Sequence, residues 1–144
     1  MLLFALVPAG GAAGLERAIF EAVNRERARR RLKALAWDEA VAEAARAHSG
    51  RMRDLNFFSH TDPQLGDARQ RLRAAGLHWS VWGENLYQEQ GMPDPVRSAV
   101  QSWMSSPAHR RNVLHPVFAR TGVGVAARGR SYWFTQVFVG GRRR

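Results

Sequence analysis

The stretch WDEAVAEAARAHSGRMRDLNFFSHTDP, Trp37 to Pro63, decides how the chain folds. Trp37, Val41, Ala44, Ala45, His48, Met52 and Leu55 are spaced by threes and fours, the period of one apolar helix face. Asp38 is a good N-cap for that helix, and the alanines permit close approach of another element. Asn56-Phe57-Phe58-Ser59-His60-Thr61-Asp62-Pro63 then ends the helix and opens a loop, where the working end of the protein is expected. His48 lies on the apolar stripe, so it reads first as a core histidine hydrogen-bonded to a carbonyl or a neighbouring side chain.

Upstream, Leu15, Ile19, Ala22 and Val23 recur at helical spacing, predicting a surface helix from Leu15 to about Arg31. Downstream, Asp67 to Ala75 forms a short helix closed by Gly76, and Trp82 to Tyr87 a strand carrying Gly83-Glu84-Asn85. A glutamate in that aromatic segment fits a functional group and the polar face of an edge strand equally well. Asp94-Pro95 starts another helix with Val96, Ala99, Val100 and Trp103 on its inner stripe. Ser106-Pro107 repeats the start signal, giving a kinked second piece to about Leu114 with His109 in its first turn. Val123, Val125 and Ala127 alternate, Arg128-Gly129-Arg130 turns, and Tyr132 to Val139 completes a hairpin. Helices, a strand, more helices and a hairpin lack the regular alternation of a doubly wound parallel sheet, so the fold class is α+β. Trp37, Val41, Ala44, Ala45, Met52, Val100 and Trp103 are expected in the core.

The 144 residues fit one domain and include no cysteine, which excludes disulfides and thiolate metal sites. The net charge is +10, and all 22 basic residues except Lys33 are arginines. Arg25, Arg27, Arg29, Arg30 and Arg31, with the Arg142 to Arg144 tail, form a field that attracts polyanions, or else simply a solvated surface. No aromatic residues interleave with them in a nucleic-acid-binding motif, so no specific nucleic-acid partner is expected. Met1 to Ala9 is apolar and followed by small residues, like the tail of an export signal, although a basic leader is missing. The alternative is an apolar terminus of a cytosolic protein. The run is too short to span a bilayer, so no transmembrane segment is expected.

In order, Asn24-x-x-Arg27, Leu35-x-Trp37, His48, Phe57-Phe58-Ser59-His60, Gly83-Glu84-Asn85, Trp103-Met104-x-Ser106-Pro107-x-His109-Arg110-x-Asn112 and Gly122-Val123-Gly124 resemble the CAP superfamily. This superfamily takes in cysteine-rich secretory proteins, antigen 5 and plant pathogenesis-related 1 proteins, and the chain looks most like its small cysteine-free bacterial branch. The resemblance implies a three-layer α-β-α sandwich with a central antiparallel sheet and a secreted or extracytoplasmic location. The organisation it implies is an export-signal remnant or disordered N-terminus over 1–14, one CAP (SCP-like) domain over 15–140 and a basic tail over 141–144.

In eukaryotic members a cleft holds two histidines and two acids, and in some a divalent metal such as zinc. Carried over residue by residue, His60 matches the first histidine and Glu84 the first acid. Ser106 stands where a Trp-Tyr-x-Glu motif would place the second acid, and Trp133, in Trp133-Phe134-Thr135-Gln136, where a His-Tyr-Thr-Gln motif would place the second histidine. Cleft residues are therefore expected at His60, Glu84, Asn85, Ser106, His109 and Trp133. His60 and His109 are the candidate ligands for a weakly held divalent metal such as zinc. Two functions follow from this set. One is a non-enzymatic binding module for a lipid, an envelope polymer or a protein; the other is a metal-assisted, peptidase-like hydrolase with His60 as base and Glu84 beside it. Polyanion binding through the arginine-rich surfaces is a minor third.

Overall fold

The computed structural model describes residues 11–143; residues 1–10 of the expected export remnant, and Arg144, lie outside the described residues. The elements run α1 (Gly11–Arg29), β1 (Ala36–Trp37), α2 (Glu39–Leu55), α3 (Ala68–Ala74), β2 (Trp79–Gln90), α4 (Pro95–Ser105), α5 (Pro107–Leu114), β3 (Phe118–Arg128) and β4 (Ser131–Arg143). α1 thus begins ahead of Leu15, and residues 141–143 belong to a strand where a loose tail was expected. The caps anticipated at Asp38 and Asp94 accept from the backbone N–H of Val41 and Arg97, and Asp67, expected inside α3, instead caps it by accepting from Gln70.

The strand order is β1-β3-β4-β2, with β1 parallel to β3 and the other pairs antiparallel. On one face α1, α4 and α5 bring Ile19, Val23, Val100, Trp103 and Val113 against Val123, Val125, Phe134 and Phe138. On the other, α2 and α3 bring Val41, Ala45 and Leu72 against Val137 and Val139, while Met52 meets Leu86, Ala126 and Trp133. This is the α-β-α sandwich. Each large apolar side chain removed from water contributes about 1.5–3 kcal/mol, so these two core layers hold the helices to the sheet.

Gly122 and Gly124 set how close α2 comes. A Cβ at either would overlap α2 backbone, at Ala42 and at Ala45–Arg46 respectively, so α2 lies on the bare backbone of β3. Ser49 then reaches the Gly124 carbonyl at 3.0 Å and the Thr135 hydroxyl at 2.8 Å. Of the expected core, Val41, Ala45, Met52, Val100 and Trp103 are buried, whereas Trp37 and Ala44 are half-buried. Leu55 is 51% exposed. By that turn α2 has reached the end of β3, where Arg128 meets the Arg53 carbonyl, and no sheet remains to cover it.

Arg27 is a correction to the expected basic surface. It is 1% exposed and donates to the carbonyls of Lys33, Val113 and His115, tying α1 to the end of α5. Asn24 exchanges hydrogen bonds with both backbone groups of Leu35. These two residues of the Asn24-x-x-Arg27 motif act as structural clamps. Arg29 and Arg30 both pair with Glu26.

Candidate functional site

The loop after α2 is held from three sides. Asn56 closes the helix in the left-handed region with φ 55° and returns its N–H to the Met52 carbonyl. Asp62, 1% exposed, accepts from the N–H groups of Gln64 and Leu65 and from Arg51. The Arg51 guanidinium, then those two N–H groups, hold its carboxyl well below the usual carboxylate range. His48 Nε2 lies 2.9 Å from the Ser59 carbonyl and so carries the proton. Burial, and then the charge of Arg71, push this histidine below its ordinary value, which keeps it a neutral core donor. His60 therefore sits on a loop whose backbone is fastened immediately before it.

The loop is fastened at His60 as well, by Arg71 of α3. Arg71 is buried and donates from Nη2 to the His60 carbonyl at 3.0 Å and to Glu84 Oε1 and Oε2 at 3.0 and 2.8 Å. Glu84, whose side chain is 1% exposed, also meets His60 Nδ1 through Oε1 at 2.9 Å. A carboxylate can only accept, so Nδ1 donates to it, and Nε2 is the nitrogen left without a partner among the described residues. The His60 side chain itself is 55% exposed.

β2 is an edge strand, and its alternation sorts the Gly83-Glu84-Asn85 triplet onto two faces. Trp82, Glu84 and Leu86 face the α2–α3 layer, opposite Val139, Val137 and Thr135. Asn85, expected in the cleft, faces the α5 layer and is fully buried. There it donates to the His109 carbonyl at 3.0 Å and accepts from Asn112 Nδ2 at 2.9 Å. Asn112 Nδ2 also covers the Glu84 carbonyl at 3.2 Å on the strand's free edge. Gly83 leaves room for this: a Cβ there would fall 2.8 Å from Asn112 Oδ1 and 2.9 Å from Phe118. Asn85 therefore positions α5 against the sheet instead of lining the cleft.

α5 carries His109 in its first turn. Its Nδ1 lies 2.9 Å from the hydroxyl of Ser106, the residue that starts the helix. Burial first, and then the repulsion a protonated His60 would add, lowers His109 from the usual histidine value. Trp133 does not join them. It is 7% exposed among Met52, Leu86 and Ala126, and it pairs with Gln88, four positions along from the Glu84–Val137 pair. At about 3.3 Å per residue that is about 13 Å away. His109 is not among the residues that line the cleft around His60, and Trp133 belongs to the core.

The resulting cleft has a volume of about 350 Å³ and is lined by His60, Asp67, Ala68, Trp82, Gly83, Glu84 and Asn112. Trp82 is 37% exposed there. Arg71, Asp67 and Asn112 are the residues whose part in the site the sequence alone did not announce. Asp67 reads only as the start of a short helix, and Arg71 is one arginine among many.

With this geometry in view, residues 20–138 match the family described as CAP, the cysteine-rich secretory protein family. The chain belongs to the CAP family. Over 125 residues it is 38% identical to the uncharacterized protein YkwD of Bacillus subtilis (strain 168), covering 87% of this chain and 47% of that protein. It is 32% identical over 125 residues to the uncharacterized membrane protein YlbC of the same organism, covering 86% of this chain and 34% of that one. Among solved structures it superposes with a TM-score of 0.81 and 35% identity on an extracellular protein containing a SCP domain from Bacillus anthracis str. Ames, covering 90% of this chain and 41% of that chain. This CAP chain spans less than half the length of each of these relatives. No helix among the described residues is long and apolar enough to cross a membrane.

Proposed function

We propose that this CAP domain is a secreted or envelope-associated, non-enzymatic binding domain whose cleft takes a hydroxyl-rich envelope polymer. The observation that carries this reading is Arg71 lying against both oxygens of Glu84. A carboxylate so engaged keeps its own cation and has little capacity left to hold a second one or to accept a proton from water. His60 is oriented by Glu84 in the manner of a general base, but among the described residues no hydroxyl is hydrogen-bonded to its ring, and the Ser106 hydroxyl meets His109 instead. Both features weigh against the hydrolase alternative.

The lining favours a polymer over an acyl chain. An acyl chain needs an apolar tunnel, whereas this shallow cleft offers one exposed indole among a histidine, two carboxylates and an amide. Toward a divalent metal such as zinc, the residues fit a weak site at most. His60 and His109 each have Nδ1 engaged by an oxygen, the usual arrangement behind an imidazole ligand, and they would supply two ligands. Glu84 is held by Arg71, and among the described residues no group of three or more histidine, cysteine or acidic side chains converges.

Co-sedimentation with purified, insoluble envelope polymer tests the reading, with lipid vesicles and a peptide-hydrolysis assay alongside. Binding that Trp82→Ala and His60→Ala both weaken, without hydrolysis, is the expected result. Peptide cleavage abolished by His60→Ala would establish the hydrolase alternative, and vesicle binding lost in Trp82→Ala would make the ligand a lipid.

A further inference from the structure

A second concavity, of about 240 Å³, lies where α3 meets the first residues of β2, and it shares no lining residue with the cleft. Its walls are Arg69, Arg73, His78, Trp79 and Ser80. Arg69 and Arg73 are one helical turn apart on α3, exposed, and among the described residues neither makes a salt bridge or a side-chain hydrogen bond. That contrasts with Arg46, Arg51, Arg71 and Arg120, each of which faces a carboxylate. The end of β4 adds another cation, because Arg143 pairs directly with Trp79 in the ladder.

Gly141 makes this junction. It has φ +72°, and a Cβ there would overlap the Ser80 hydroxyl, so the strand can pass tightly over Ser80 only as glycine. The Arg142 N–H then donates to Ser80 Oγ at 2.9 Å, which leaves the Ser80 hydroxyl proton available to a further acceptor. Trp79 Nε1 is a buried donor with no acceptor among the described residues. That atom is sealed from the pocket, but the two unpaired guanidinium groups and the free Ser80 proton that line it form an environment that an oxyanion satisfies.

We propose that this pocket is a phosphate-binding site, taking a phosphate group by charge-assisted hydrogen bonds from Arg69 and Arg73, with His78 and Ser80 around it and Arg143 across the ladder from Trp79. The forked guanidinium donors match a tetrahedral oxyanion in geometry as well as in charge. The pocket holds one such group and a small substituent, and the Trp79 indole offers that substituent a flat wall.

The test is calorimetric titration of the full chain with inorganic phosphate at constant ionic strength, set by chloride. Saturable binding is expected, with at least about a tenfold weakening in Arg69→Gln/Arg73→Gln. The thermal midpoint of that variant should match the parent, since neither side chain bonds to the protein. Arg25→Gln/Arg29→Gln, on α1, serves as the control for diffuse charge. No saturable heat, an unaltered affinity in Arg69→Gln/Arg73→Gln, or equal weakening by the α1 control would each overturn the site. Phosphatidylcholine vesicles with and without phosphatidylglycerol identify the source. Binding that needs both phosphatidylglycerol and Arg69/Arg73 assigns the phosphate to a lipid headgroup, and phosphate binding without vesicle binding assigns it to a soluble or polymer-borne ester.

Discussion

Replacing Arg71 with methionine tests the centre of the proposed site. The substitution keeps a long apolar stem but removes the guanidinium that meets both oxygens of Glu84 and the His60 carbonyl. The two side chains are 6% and 1% exposed, so solvent cannot screen the charge left behind. Breaking a buried pair from one side costs about 3–5 kcal/mol, because the remaining charge stays buried without its partner. For a chain of this size about 1 kcal/mol moves the thermal midpoint by ~3 °C, so Arg71→Met is expected to lower it by about 10–15 °C. Removing both charges, in Arg71→Met/Glu84→Gln, leaves no uncompensated ion and should recover most of that loss.

Urea unfolding of the parent, both single variants and the double variant closes the cycle. Hydrogen exchange should also quicken in the segment 57–66 of Arg71→Met, since its anchor at His60 is gone. A single variant within about 1 kcal/mol of the parent, or a double variant no better than Arg71→Met, would refute the claim that Glu84 depends on Arg71.

Other outcomes follow from the same contacts. Gly124→Ala forces α2 off β3 at Ala45–Arg46 and should cost about 2–3 kcal/mol in urea unfolding; an unchanged midpoint would mean that α2 shifts freely. His48 and His109 are held below the ordinary histidine value, so the unfolded chain binds more protons than the folded one as pH falls through about 6.5. Stability should therefore be complete above that value and decline below it, by at most about 1.4 kcal/mol per pH unit for each histidine. A thermal midpoint that is flat from pH 7.5 to 5 contradicts this. Asp62, held low by Arg51, adds a separate loss once the pH falls below about 4, through its depressed folded value, and Asp62→Asn should remove that lower step. In zinc titrations the parent should bind no tighter than about micromolar; His109→Ala should abolish this binding, and Trp133→His, placed in the core, should not improve it.

How much of this was legible depends on the range of the interaction that fixes each residue. The caps at Asp38 and Asp94 and the stripe of α2 are set within a few residues of themselves, so spacing alone reads them correctly. Asn85 could have been placed correctly too, because neighbours in a strand point to opposite faces, and Glu84 in the cleft requires Asn85 behind it. Trp133 was misplaced because a four-residue motif match carries no register. Only the ladder, with Gln88 rather than Glu84 opposite it, reveals the separation. Arg71 had no local sign at all. Its partners Glu84 and His60 come from a different strand and loop, and in a chain with 22 basic residues one more arginine on a short helix looks like surface. Yet it is the contact with Arg71 that determines what Glu84 can do. A His–Glu pair beside a cleft would otherwise be read as a base or a metal ligand, and the guanidinium makes that carboxylate a structural anchor for the loop that presents His60.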